Sequence, residues 1–371
     1  MSELTASTPA TARQTHYLPT LDGWRACAIL MVILHHGSYS ISDGVGPWIR
    51  PFTRFFYYYG ELGVQVFFAI SGLLICSRLI QEHADRSRVS LRDFYVRRAY
   101  RILPPMMGFL GIVGALGAVG IVTIKLGQWL SCVFLYANYR PGGTWTLGHF
   151  WTLSLEEHFY LTWPFLFAFL GPRKTLPVTI LLALGVGVWR GVNIAYSLHP
   201  FDLTHATVRT DTMCDGLLYG AVMALLLARP GIRERLMRVM RPVMFYVLLG
   251  VYIGTFLPMP PVPFLGPGLS ILRAMVLPML LATTLLNPRS LVSRVLELGV
   301  LRYVGRLSYS LYLYQQLFFV WHGLGSPFLT PIQSFPLNFV CAFACAAGSY
   351  YLIEKPAIRA GYRRVEVLRG S

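Results

Sequence analysis

Long apolar runs, broken by short polar gaps, repeat along almost the whole of this chain. They lie near residues 21–41, 59–80, 103–124, 149–170, 176–195, 212–228, 243–258, 268–287, 303–323 and 335–353. Most approach the roughly 17–25 residues with which an α-helix crosses the hydrocarbon core of a bilayer. Lipid offers an exposed peptide group no hydrogen-bond partner, so such runs are predicted to be helices even where they contain Gly or Pro. The pattern predicts an all-α fold, a polytopic membrane helical bundle of about ten transmembrane helices. A further apolar stretch, 126–139, is shorter and is predicted to be a re-entrant or interfacial segment leading into the turn-rich Arg140-Pro141-Gly142-Gly143-Thr144.

The gaps are unequal in charge, which gives the bundle a direction. Basic residues crowd into 78–101, Arg173 with Lys174, 229–241, 289–306 and the stretch from Lys355 to Arg369, whereas 42–58, 196–211, 258–267 and 324–334 carry little charge. The excess of Lys and Arg on cytoplasmic loops places the five basic regions inside. The gaps at 78–101 and 173–174 then share a side, and the runs at 103–124 and 149–170 complete the excursion between them, so 126–139 stays on the outer side. Ten spans leave both termini in the cytoplasm. Residues 1–16, polar and rich in Ser, Thr and Ala, are expected to form a disordered cytoplasmic tail; 17–356 form one membrane domain and 357–371 a basic cytoplasmic tail.

Composition supports this reading. The 371 residues are 55% hydrophobic and 13% charged, against roughly 25% charged in ordinary soluble domains. The net charge of +16 follows from the inner loops and does not call for a nucleic-acid partner. Most of the six cysteines fall within apolar runs and none forms a CxxC pair, so neither a metal site nor a disulfide framework is expected.

Ionisable residues inside spans are costly and mark function by default. Arg25 and His36 lie in the first run, eleven residues apart, nearly on one helical face and about 16 Å apart along the axis. His36 can take and return a proton near neutrality; the plainer readings are a backbone hydrogen bond for His36 and snorkelling for Arg25. His35 points about 100° away from His36. Gly63 and Gly72 in the next run would let helices approach closely. Arg98 and Arg101, three apart beside Arg97, form a pair that could hold phosphates or simply anchor the inner membrane edge. Glu156 shares a face with Tyr160, while Glu157 points elsewhere. Arg209 and Asp211, with Asp215 nearby, form a charged cluster at an outer edge, and Gln315 and Gln316 enter a span, lining a cavity or bonding between helices.

Taken in order, these runs resemble the membrane acyltransferase-3 family of bacterial O-acyltransferases. The resemblance spans Leu21 to about Pro356: Leu21-Asp22-Gly23 leading to Arg25 with His36 eleven residues on, Ser71-Gly72-Leu73-Leu74-Ile75, Arg97-Arg98 with Arg101-Ile102 and Pro104, Trp151 leading to Glu156-Glu157 and Phe159-Tyr160, Arg209 with Asp211, and Ser308-Tyr309-Ser310-Leu311-Tyr312-Leu313. It implies transfer of an acyl group, expected to be acetyl, from cytoplasmic acyl-CoA to a hydroxyl of a carbohydrate, lipid-linked sugar or small metabolite, in the bacterial inner membrane and in contact with its lipids. By the same resemblance His36, Arg25 and Glu156 are the catalytic candidates, with Glu156 orienting or balancing the His36 imidazole. Arg97, Arg98 and Arg101 would hold the acyl-CoA phosphates, and Arg209, Asp211, Tyr160 and Gln315 would contact substrate. Three positions depart from the family pattern: Gln65 stands where an acidic residue is common, Gln315 where a His is common, and His158 where a Gln is common. The rival reading is a proton-coupled transporter or flippase of a lipid-linked or sugar-containing molecule; it is weakened by the lack of an internal repeat. A purely structural scaffold leaves the intramembrane charges unexplained.

Overall fold

The computed structural model describes residues 18–140, 143–196, 208–257, 265–321 and 327–370, and among them it contains helices, turns and no strand. Pro19 takes the first turn of α1 (Pro19–Val45), where its missing N–H costs nothing. The chain continues through α2 (Arg50–Tyr59), α3 (Leu62–Arg86), α4 (Leu91–Ala118), α5 (Leu126–Val133), α6 (Phe150–Tyr196), α7 (Thr210–Met213) and α8 (Asp215–Leu227). It ends with α9 (Pro230–Val239), α10 (Pro242–Gly254), α11 (Leu265–Leu286), α12 (Leu291–Leu296), α13 (Gly299–Phe318), α14 (Thr330–Gln333), α15 (Leu337–Ser349), a π-helical turn at Tyr350–Glu354 and α16 (Lys355–Gly370). Among the described residues each of the ten apolar runs falls mainly on helix. The two at 149–170 and 176–195 are the halves of α6, broken at Gly171, whose φ of 69° an L side chain would resist and which precedes Pro172.

Five helices among the described residues are long and apolar enough to cross a membrane: Leu62–Arg86, Leu91–Ala118, Trp145–Ile194, Gly268–Leu286 and Leu337–Arg369. The pair Asp215–Leu227 and Pro230–Val239, bent by 105°, makes a sixth if it counts as one span. The expected ten spans go beyond this set. Helices α1 and α13 fall outside it although they are 27 and 20 residues long. Polar residues such as Arg25, His36, Gln315 and Gln316 lower their hydropathy; Arg25, His36 and Gln316 line interior cavities, and Gln315 is fully buried against His36. α5 has eight residues, a rise of about 12 Å, too short to span.

Several gaps that the hydrophobic pattern left as connections are helical. α2 fills most of 42–58, α9 lies within 229–241, and the basic stretch 357–371 is helical to Gly370. It is not a free tail, since Arg369 Nε donates to Asp93 Oδ2 at 2.6 Å. Such segments pack by one apolar face, which a search for long apolar runs overlooks. The expected 1–16 tail lies outside the described residues.

At the centre α1 packs against α3 and α13, and α3 packs closely on α8. These contacts depend on missing side chains: a Cβ at Gly72 would collide with the Leu217 carbonyl of α8, and one at Gly63 with the Ala28 carbonyl of α1. Small residues at a membrane-helix seam let backbones approach and gain dispersion contacts. Gly72→Val should therefore cost about 1–3 kcal/mol by overpacking and lower the thermal unfolding temperature of the detergent-solubilised protein. An unchanged temperature would contradict this account of the α3–α8 seam.

Candidate active site

Arg25 and His36 sit on one helix but open into different cavities. Arg25 faces a narrow cavity of about 110 Å³, shared with Arg78 of α3, Arg98 and Arg101 of α4, and Glu156 and Tyr160 of α6. His36 faces a wider one of about 580 Å³, shared with Gln65, His149, Arg190, Arg273 and Gln316. The eleven-residue rise along α1 makes this division possible, because one helical face presents the two side chains at different depths.

In the narrow cavity, four guanidinium groups converge in an apolar surround. Arg98 lies over the Tyr160 ring at 3.5 Å, a cation–π contact, and its Nε stands 3.9 Å from Glu157 Oε1. Glu156 accepts a hydrogen bond from Ser71 Oγ at 2.7 Å and is within electrostatic reach of Arg98 and Arg25. Behind them Glu354, 1% exposed, accepts from Ser310 Oγ at 2.8 Å and is within electrostatic reach of Arg101 and Arg25. The sequence reading missed Glu354; a lone carboxylate directly after the last apolar run was the available sign. The expected triplet Arg97, Arg98 and Arg101 separates: Arg98 and Arg101, three apart, share the cavity, while Arg97 turns to Glu82, Nη2 to Oε2 3.4 Å. One residue along a helix is a turn of about 100°.

In the wide cavity, two adjacent glutamines of α13 each hold a histidine. His36 Nδ1 lies 2.8 Å from Gln315 Oε1. An amide oxygen only accepts, so Nδ1–H donates and Nε2 keeps its lone pair. Gln316 Oε1 takes two bonds from His149, from its backbone N–H at 3.0 Å and its Nδ1–H at 2.8 Å. The Trp145 ring meets the His36 ring edge-to-face, centroids 5.2 Å apart. His35 is occupied otherwise: Nδ1–H donates to the Tyr57 carbonyl at 2.8 Å, anchoring α2.

The structure distributes the expected site residues as follows. Glu156 lies in the cavity of Arg25 with Ser71 as its hydrogen-bond partner, and the side chain bonded to His36 is Gln315. Tyr160 and Gln315, both expected to contact substrate, divide between the cavities, the first against Arg98 and the second against His36. Arg209 and Asp211 bind each other, at 2.9 Å from Nε to Oδ1 and 3.0 Å from Nη2 to Oδ2, and neither lines the histidine cavity. Partial burial pushes the Asp211 carboxyl up, but bonds from Arg209 and Trp189 outweigh it and hold the group below the usual carboxylate range.

The charge pair that does line the histidine cavity is Arg190 with Asp215, 5% and 2% exposed. Its two parallel bonds measure 2.9 and 2.7 Å. Arg190 and Arg273 were legible in principle, since both lie inside predicted spans and meet the criterion that singled out Arg25.

Comparison with known proteins places these residues in context. The profile of an acyltransferase domain family, acyltransferase-3, matches residues 18–354. A peptidoglycan O-acetyltransferase of Listeria monocytogenes is 25% identical over 93% of this chain and 56% of its own length. A Bacillus subtilis protein provisionally named for the same activity is 27% identical over 94% of this chain and 56% of its own. An O-acetyltransferase of Staphylococcus aureus, also provisionally named, is 26% identical over 95% and 59%. The chain thus spans somewhat over half the length of these curated relatives. No solved structure matches. None of these matches favours a transporter.

Removing one member of the Arg190–Asp215 pair strands a buried charge. Asp215→Ala should destabilise the protein by about 3–5 kcal/mol, and the apolar double replacement Arg190→Met with Asp215→Leu should recover most of it. Thermal unfolding in detergent reads both; equal losses in the single and double variants would refute the pairing.

Proposed function

Since the chain belongs to the acyltransferase-3 family, we propose that it is an integral membrane O-acyltransferase that moves an acetyl group from cytoplasmic acetyl-CoA to a hydroxyl of a carbohydrate or related acceptor. One observation carries the reading: a single helix presents a guanidinium-lined cavity at Arg25 and a histidine-lined cavity at His36. In this scheme ten spans place both termini in the cytoplasm of a bacterial inner membrane, and the guanidinium cavity opens inward. The names of the relatives, and the polar groups of the wide cavity, support a glycan, a lipid-linked sugar or a small hydroxylated metabolite as acceptor.

Arg98 and Arg101, joined by Arg78, hold the phosphates of the donor by charge-assisted bonds, and Tyr160 fixes the Arg98 plane. Glu156, Glu157 and Glu354 keep the cluster from repelling itself apart when the donor is absent. The thioester extends past Arg25 towards His36. His36 Nε2 takes the proton of the acceptor hydroxyl as its oxygen attacks the thioester carbon. The new C–O bond forms, the C–S bond breaks, and the imidazolium returns its proton to the departing thiolate. Arg25, on the donor side, stabilises negative charge as it develops on the thioester oxygen. Gln315 positions the ring; it holds Nδ1–H and so keeps Nε2 basic.

The test is acetyl transfer by protein in lipid nanodiscs, with labelled acetyl-CoA and glycan fragments as acceptors. His36→Ala should lower turnover by about 10²–10⁴-fold, and a variant as active as the parent would sink the mechanism. Arg98→Ala with Arg101→Ala should raise KM for acetyl-CoA, while Gln315→Leu should lower kcat and leave that KM in place. A donor KM unchanged by loss of both arginines would remove their assigned role.

A further inference from the structure

The two cavities meet at three side chains. Val64, Phe68 and Tyr312 border both of them. Val64 and Phe68 are one helical turn apart on α3 and point the same way; Tyr312 faces them from α13. We propose that these three form an acyl-length filter, an apolar septum that the acyl group must enter on its way from the donor cavity to His36. The proposal rests on the acyl-transfer reading above and adds which acyl groups the protein accepts.

The septum is built to keep its shape. The hydroxyls of Tyr312 and Thr152 share a 2.7 Å hydrogen bond, and both lie within reach of the His149 carbonyl, Thr152 at 2.9 Å and Tyr312 at 3.5 Å. That bond fixes the Tyr312 ring from its far end. Phe68 is 2% exposed, and its ring abuts the Trp151 ring with centroids 6.2 Å apart. A side chain clamped in this way does not swing aside for a longer ligand, because packed interiors yield little. The chemistry of the wall also fits its cargo. The phosphates of the donor belong with the guanidinium groups, and an apolar septum excludes them, whereas the methyl end of an acyl chain is at home there.

The position along the bundle agrees. On α3, Gln65 belongs to the histidine cavity alone and Ser71 to the guanidinium cavity alone. Val64 and Phe68 thus mark the boundary at the depth where a thioester carbon must come to rest if its oxygen lies on the Arg25 side and its attacker on the His36 side. The carbonyl substituent then lies among Val64, Phe68 and Tyr312. The narrow cavity, about 110 Å³, is the smaller of the two, against about 580 Å³ on the histidine side.

An apolar pocket discriminates by about 10–200-fold for a methylene. The wild-type protein should therefore favour acetyl-CoA over butyryl-CoA strongly in kcat/KM. Phe68→Ala should raise the butyryl-to-acetyl ratio of kcat/KM by at least about tenfold, and Val64→Ala should move it in the same direction by less. Val64→Ala, a small truncation, carries the test if Phe68→Ala fails to fold. An unchanged ratio in folded, active variants overturns the filter. Failure of the wild-type protein to use any acyl-CoA would overturn the donor reading instead, and the two failures are distinguishable because acetyl-CoA turnover by the wild type is measured alongside.

Discussion

A guanidinium group in a low-dielectric interior has to find compensation, and in this protein four of them find it around one small cavity. Arg25, Arg78, Arg98 and Arg101 come from three helices, and each would be prohibitively costly there alone. The carboxylates of Glu156, Glu157 and Glu354 and the face of Tyr160 lower that cost without cancelling the charge. Helix positions follow from this requirement. α4 must bring the Arg98 face inward, α6 must bring Glu156 and Tyr160 to the same depth, and the π-helical turn must deliver Glu354 from the far end of the sequence. π-helical turns often accompany functional sites, and this one turns a carboxylate into the cluster where an ordinary helical register would point it elsewhere. What remains is a pocket of net positive character, suited to a polyanionic ligand that arrives and leaves.

The histidine cavity follows another rule. Two of its charges, Arg190 and Asp215, neutralise one another by parallel bonds, and beside them stand two imidazoles held by two amides. A neutral acceptor on Nδ1–H orients a base and supports its protonated form less strongly than a carboxylate would. That arrangement suits a group meant to hold a proton only briefly. Adjacent glutamines serving adjacent histidines also tie the geometry of the cavity to the register of one helix, α13.

Much of this was legible in the sequence, and the limits have physical causes. Hydropathy located the apolar runs because lipid demands it, and among the described residues each lies mainly on helix. A spacing of three placed Arg98 and Arg101 on one face, as it must in any helix. Gly63 and Gly72 read as close approaches, and the backbone carbonyls of Ala28 and Leu217 are what approach. The short amphipathic helices, α2 and α9 among them, were invisible because their apolar face is narrow. Pairings across the bundle, such as Arg190 with Asp215 or Ser310 with Glu354, depend on helix order and rotation, which periodicity does not encode. Glu156 is the instructive case. Its face was legible from its spacing to Tyr160, but its partner Ser71 and its place in the Arg25 cavity come from other helices, and the rise along α1 sets that cavity about 16 Å from His36 along the axis.

The bond between Arg369 and Asp93 has a mechanical meaning. Asp93 lies in the first turn of α4, less than two turns of helix from Arg98. The carboxy-terminal helix is thus in series with the arginines of the narrow cavity, like a stay attached near the foot of a mast. A pull on the end of the chain, whether from an affinity tag, an immobilising surface or a fused reporter, is transmitted to the base of the helix that positions those arginines.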